Sequence, residues 1–192
     1  MNIETRRVFE GVLFLAAFGL TIPLANWMIL HAGTVCPPNG PCLVPVLPKI
    51  GGFGLMAPSG VLMIGIALVL RDLVQRRLGV LYSASAVVFG AILSSIFAPP
   101  SLVLASGVAF LVSELADLAV YTPLARRRLI AAIVISSLVG LVVDSVIFLW
   151  LAFGSLEFLL GQVVGKAWMV LLSIPFVHYL RRRDERIGLT PV

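Results

Sequence analysis

Four clusters of arginine divide this chain: Arg6 and Arg7; Arg71, Arg76 and Arg77; Arg126, Arg127 and Arg128; and Arg181, Arg182 and Arg183 with Arg186. Apolar runs fill the intervals, at about residues 8–30, 51–70, 80–97, 101–121, 129–153 and 158–180. If all six runs cross a bilayer, every cluster falls on one side and the other side keeps only Lys49. Arginine collects on the cytoplasmic side of membrane proteins, so both termini are expected there. The predicted fold class is therefore all-α: one six-helix polytopic domain over residues 1–192. The chain is 60% hydrophobic and 12% charged, with a mean hydropathy of +1.09. Soluble domains lie nearer 45–50% apolar and about 25% charged. The formal charge of +5 sits in short clusters between apolar runs, not in a basic stripe, so it does not point to nucleic acid.

The first run is too long for a signal-peptide core and is kept as a span. Pro23 is expected to kink it, Asn26 follows within a turn, and Trp27 suits an interfacial belt. Asn26 has two readings, a helix-packing hydrogen bond or a ligand contact. Residues 31–56 read as a long connection rich in Pro and Gly. Cys36 and Cys42 flank its PPNGP turn, close enough for a disulfide if the loop faces an oxidising compartment. Two cysteines make no zinc site, and no metal or cofactor is expected. The second run is short and interrupted by glycine. It is either a broken, partly re-entrant entry at Ala57, Pro58, Ser59 and Gly60 or a short bent helix. RDLVQRRLG, residues 71–79, reads as a cytoplasmic loop.

Charges inside the later runs define a candidate site. Glu114 and Asp117 are three residues apart on the fourth run and share a helix face, which Gly107, Phe110 and Tyr121 extend. An acid near mid-bilayer costs about 2.5–3.5 kcal/mol on insertion scales, so such residues need a role. Asp144 on the fifth run, on a face with Ser136 and Gly140, and Lys166 on the sixth each lie roughly 12–14 Å below the outer edge, given a rise of about 1.5 Å per residue. They are expected to pair. Asp117 lies deeper, within reach of Arg71, as a structural latch or gate. Glu114, at about 20 Å, then has no evident cation and is either protonated or awaiting a ligand that donates hydrogen bonds. Gln162, Lys166, Met169 and Ser173 form a polar-leaning stripe. Gly161 and Gly165 make a GxxxG, a weak signal by itself. His31 and His178 fall on opposite sides, and no Walker, HExxH or GxSxG motif occurs, so no enzyme is expected.

Four stretches, APSGVLMIGIALVLRDLVQRRLG, SELADLAVYTPL, SSLVGLVVDSVIFLWLAF and VGKAWMVLLSIPF, together resemble the vitamin uptake transporter family of queuosine precursor transporters. The resemblance implies a six-span protein of the bacterial inner membrane that imports 7-deazaguanines such as 7-cyano-7-deazaguanine. It implies polar site positions at Asn26, Glu114, Asp117, Asp144 and Lys166; some members carry Gln at the position of Glu114. It does not extend to the Cys36 and Cys42 loop. A guanine-like edge offers adjacent N–H donors, which a carboxylate accepts in bidentate fashion. Its carbonyl wants a donor, as Asn26 or Lys166 would supply. Its flat face wants a wall such as Trp27, Phe110, Phe148 or Trp168. The expected function is uptake by a secondary carrier or facilitator. The alternative is the substrate-binding subunit of an energy-coupling factor transporter. The expected partners are a small purine-like molecule and the lipid bilayer; a homodimer suits so small a carrier, though no residue argues for it.

Overall fold

The computed structural model describes residues 2–38, 40–50, 53–98, 100–125 and 127–190. Asn39, Gly51, Gly52, Pro99 and Arg126, used in the sequence reading, lie outside the described residues, as does the side chain of Lys49. Six α-helices form: α1 (Ile3–His31), α2 (Val61–Leu78), α3 (Val80–Phe97), α4 (Val103–Ala125), α5 (Leu129–Phe153) and α6 (Leu159–Ile187). All but α2 are long and apolar enough to cross a membrane. Pro23 sits inside α1 without ending it. The RRRDER tail continues α6 as helix rather than leaving it.

The second segment departs most from expectation. RDLVQRRL is no loop: α2 runs through it to Gly79, whose φ of 94° ends the helix where a side chain would be strained. Arg71, Asp72, Arg76 and Arg77 are all buried. The reason is position. α2 packs against each of the other five helices, so its charges face protein instead of lipid. Of its entry, Ala57 and Pro58 end a strand and Ser59 and Gly60 form a turn.

Residues 31–56, read as a plain connection, carry a β-hairpin, so the fold is not purely helical. β1 (Leu43–Ile50) pairs antiparallel with β2 (Phe53–Pro58), with Leu43 opposite Pro58 and Ile50 opposite Phe53. The register shifts between Pro45 and Leu47 and again between Leu47 and Ile50. Pro45 and Pro48 have no N–H to give a ladder, and both strands of a two-stranded sheet are edges, where proline is tolerated. An isolated hairpin is marginal in stability, and this one is tied down. The Cys42 N–H donates to the Ile29 carbonyl (2.8 Å), the Ser59 hydroxyl to the Met28 carbonyl (2.7 Å), and Trp168 Nε1 to the Val46 carbonyl (3.2 Å). Cys36 and Cys42 are joined, with Cα atoms 4.1 Å apart. Mass spectrometry of unreduced protein from intact cells is expected to recover the two cysteines in one linked peptide. Two freely alkylated thiols would contradict it.

The GxxxG of α6 serves the hairpin. A Cβ at Gly161 would run into the Met56 carbonyl oxygen, and one at Gly165 would come within 2.8 Å of Val46 and Val61 methyls. These glycines bring α6 against backbone of β2 and the start of α2. Gly161→Ala is therefore expected to lower stability by about 1–3 kcal/mol through overpacking, read as a fall in Tm in detergent. Gly19→Ala, where a Cβ meets nothing within 4 Å, is the control and should leave Tm unchanged or raised.

Arg6, Arg76, Arg77, Arg127, Arg128, Arg181 and Arg183 gather at the end of the bundle away from the hairpin. Arg77 joins α1, α2 and α6 there: its Nε donates to Glu10 (3.0 Å), and its Nη1 and Nη2 donate to the two oxygens of Asp184 (both 2.9 Å). Arg183 also reaches Glu10 (2.6 Å) and Arg76 reaches Asp184 (3.2 Å). Arg127 and Arg128 share a surface groove with Arg181 at the same end.

Candidate functional site

Every helix contributes to one cavity near the hairpin end. It encloses about 60 Å³ and opens into a wider recess at its mouth. Asn26 and Ile29 of α1, Ile64 of α2, Ser94 of α3, Phe110 of α4, Asp144 and Phe148 of α5, and Gln162 and Lys166 of α6 line it. Pro58 and Gly60 bring the hairpin root to its wall. Gly60 lets that root approach α1: a Cβ there would lie 2.8 Å from the Ala25 carbonyl oxygen.

Asp144 and Lys166 meet at this wall, as their matched depths require. The ammonium donates to Asp144 Oδ2, to Ser145 Oγ (2.8 Å) and to Gln162 Oε1 (3.0 Å), which uses all three of its protons. Lys166 is buried, while the Asp144 side chain keeps 13% exposure, facing the cavity. The other carboxylate oxygen, Oδ1, accepts a long hydrogen bond from Ser113 (3.5 Å). Asn26 Nδ2 donates back to the Ile22 carbonyl of its own helix (3.0 Å). Phe110 and Phe148 are its aromatic walls, and Phe110 also packs against Phe18 at a centroid distance of 6.1 Å.

Three expected site residues lie elsewhere. Trp27 is 53% exposed and stacks on His31 outside the cavity. Trp168 anchors the hairpin instead of walling the site. Glu114 is 1% exposed, does not line the cavity, and has a cation after all: Arg71 Nε donates to its Oε2 at 3.0 Å. The sequence reading gave Arg71 to Asp117 alone because it placed Arg71 at a loop edge. A guanidinium has a fork of donors, and inside the bundle this one serves three acids. Arg71 Nη2 lies 2.6 Å from Asp117 Oδ1 and Nη1 lies 3.1 Å from Asp72 Oδ1. The guanidinium also lies over the Tyr121 ring, 5.9 Å from its centroid. Asp72 was missed with the loop; Ser136 of α5 donates to it at 3.5 Å.

The polar groups thus form three levels along α2: the cavity at Ile64, the Arg71 cluster two turns on, and the Arg77 cluster at the end. Among the described residues no group of three acidic, histidine or cysteine side chains is arranged to hold a metal ion. Long apolar helices with Arg71, Arg77 and Lys166 buried between them mark a multi-pass membrane protein. Residues 95–180 match the model of a family described as "Putative vitamin uptake transporter". Over that stretch, from the end of α3 to Leu180 of α6, the chain is similar to that family. No curated protein and no solved structure matches the chain.

Proposed function

We propose that this protein takes up a queuosine precursor of the 7-deazaguanine type, such as 7-cyano-7-deazaguanine, across the bacterial inner membrane as a secondary carrier or facilitator. The observation that carries this reading is the cavity. It is lined by one carboxylate, Asp144, two aromatic rings, Phe110 and Phe148, and amide groups at Asn26 and Gln162. A guanine-like edge has two adjacent N–H donors for the carboxylate, a carbonyl for an amide donor, and flat faces for Phe110 and Phe148. Asp144 thereby takes the acceptor role that the sequence reading gave to Glu114.

Thermal stabilisation across a ligand panel tests the substrate. A ligand at a hundredfold its Kd adds about 2.7 kcal/mol, so 7-cyano-7-deazaguanine should raise Tm clearly, while biotin and riboflavin should not. The reverse pattern would move the substrate to another vitamin. Uptake by this chain alone in proteoliposomes supports the carrier; uptake only with added ATPase subunits supports the energy-coupling factor alternative.

The same reading puts the arginine end, with both termini, in the cytoplasm. In a variant without other accessible cysteines, Arg127→Cys should resist an impermeant reagent added outside intact cells. Labelling there would invert the topology.

A further inference from the structure

We propose that Asp117 carries an exchangeable proton that couples to uptake, a role that rests on the transport reading above. Arg71 is the single cation among Asp72, Glu114 and Asp117, all four side chains being at most 1% exposed. With every acid ionised, the cluster would hold two uncompensated negative charges inside a membrane bundle, which is costly. A proton on one acid removes one of the two.

The oxygens are not equivalent. Glu114 Oε2 and Asp72 Oδ1 lie against the guanidinium, and Asp72 Oδ2 accepts from Ser136. Asp117 Oδ1 lies 2.6 Å from Arg71 Nη2, and its Oδ2 is buried with no hydrogen-bond partner. One turn along the same face of α4, the hydroxyl of the fully buried Tyr121 is also unpartnered. An ionised oxygen with no donor is costly inside the bundle, and a proton bound there removes that cost. A proton needs no shell of ligands, whereas a sodium ion would have to share the centre of the cluster with Arg71.

The groups that set this equilibrium come from each neighbour. α2 supplies Arg71 and Asp72, α4 supplies Glu114 and Tyr121, and α5 supplies the Ser136 hydroxyl and, one level toward the cavity, Asp144. α3 carries no charged residue. On α5, Gly140 leaves room for the acid: a Cβ there would stand 3.2 Å from Asp117 Oδ2. The site is joined to the cavity by contact. Lys166 holds Asp144, Asp144 accepts from Ser113, the neighbouring Glu114 holds Arg71, and Arg71 holds Asp117. The step is a simple protonation: the Asp117 carboxylate gains a proton from the outer side and loses it to the inner side, and no bond to the solute forms.

The full chain in proteoliposomes, with labelled 7-cyano-7-deazaguanine and the voltage clamped at zero, provides the test. Counterflow reports transport without a gradient. A gradient of one pH unit, alkaline inside, should drive up to about tenfold accumulation for one coupled proton. Asp117→Asn should keep counterflow and lose accumulation. Counterflow with no response to the pH gradient, or a response to sodium instead, overturns the proton role and leaves the transport reading standing. Absence of counterflow in the wild type rejects the transport reading, and infrared spectroscopy then decides the proton by itself. The purified protein should show a protonated carboxyl stretch that Asp117→Asn abolishes, or, if that variant does not fold, that Asp117→Glu shifts. No such band, or one unchanged by both variants, overturns the assignment.

Discussion

Arg71→Met is expected to be among the most damaging single changes in the chain. It removes the guanidinium that Asp72, Glu114 and Asp117 share and leaves three buried acids with no cation. Breaking a buried ion pair from one side typically costs about 3–5 kcal/mol, because the remaining charge is stranded. Here three partners are stranded at once. The variant should elute as aggregate or show a large fall in Tm. Adding Glu114→Gln and Asp117→Asn should restore part of the loss, since neutral amides no longer need the cation. Arg71→Lys should recover less than a charge count suggests, because an ammonium is a point charge and cannot span three carboxylates as the fork does. A folded Arg71→Met with wild-type Tm would show that α2 and α4 are held by apolar packing alone.

Removing the charge of Asp144 should damage stability and binding together. Asp144→Asn leaves the buried Lys166 ammonium with Ser145 and Gln162 as its remaining partners. The one-sided break again costs about 3–5 kcal/mol. Lys166→Met in the same chain should recover part of it, and the double-mutant cycle reads the coupling directly. Simple additivity would mean that the two do not interact. For binding, a hydrogen bond to a charged group is worth about 1.5–3 kcal/mol. With about 1.4 kcal/mol per tenfold, Asp144→Ala should weaken 7-cyano-7-deazaguanine ten- to a hundredfold. Glu114→Gln should alter affinity little, because Glu114 lies off the cavity. A loss confined to Glu114 variants would return the acceptor role to that residue.

Five of the six helices were legible in the sequence because an apolar run of about twenty residues can satisfy its backbone in lipid only as a helix. The ends were legible where punctuation was strong: the boundaries of α5 agree with the run at 129–153, set off by arginine on one side and Gly154 at φ 63° on the other. The Asp144 and Lys166 pair was legible from depth, since the helical rise converts residue number into height. Height says nothing about rotation or neighbours. Trp27 and Trp168 had suitable chemistry and depth, yet both face away from the cavity.

What the sequence alone determined was the bilayer as solvent, the long apolar helices and the level of each buried charge, all of which follow from local composition and spacing. The tertiary structure alone decided which charges meet. RDLVQRR reads as a solvated loop by hydropathy, because hydropathy scores a residue as if its neighbours were water or lipid. Surrounded by five helices, the same residues become the core of the bundle. The Arg71 guanidinium reaches across forty-three positions to Glu114, and Arg77 across one hundred and seven to Asp184. The hairpin was hidden for a related reason: its three prolines argue against a strand until a second edge, a disulfide and the close approach of Gly161 hold it in place.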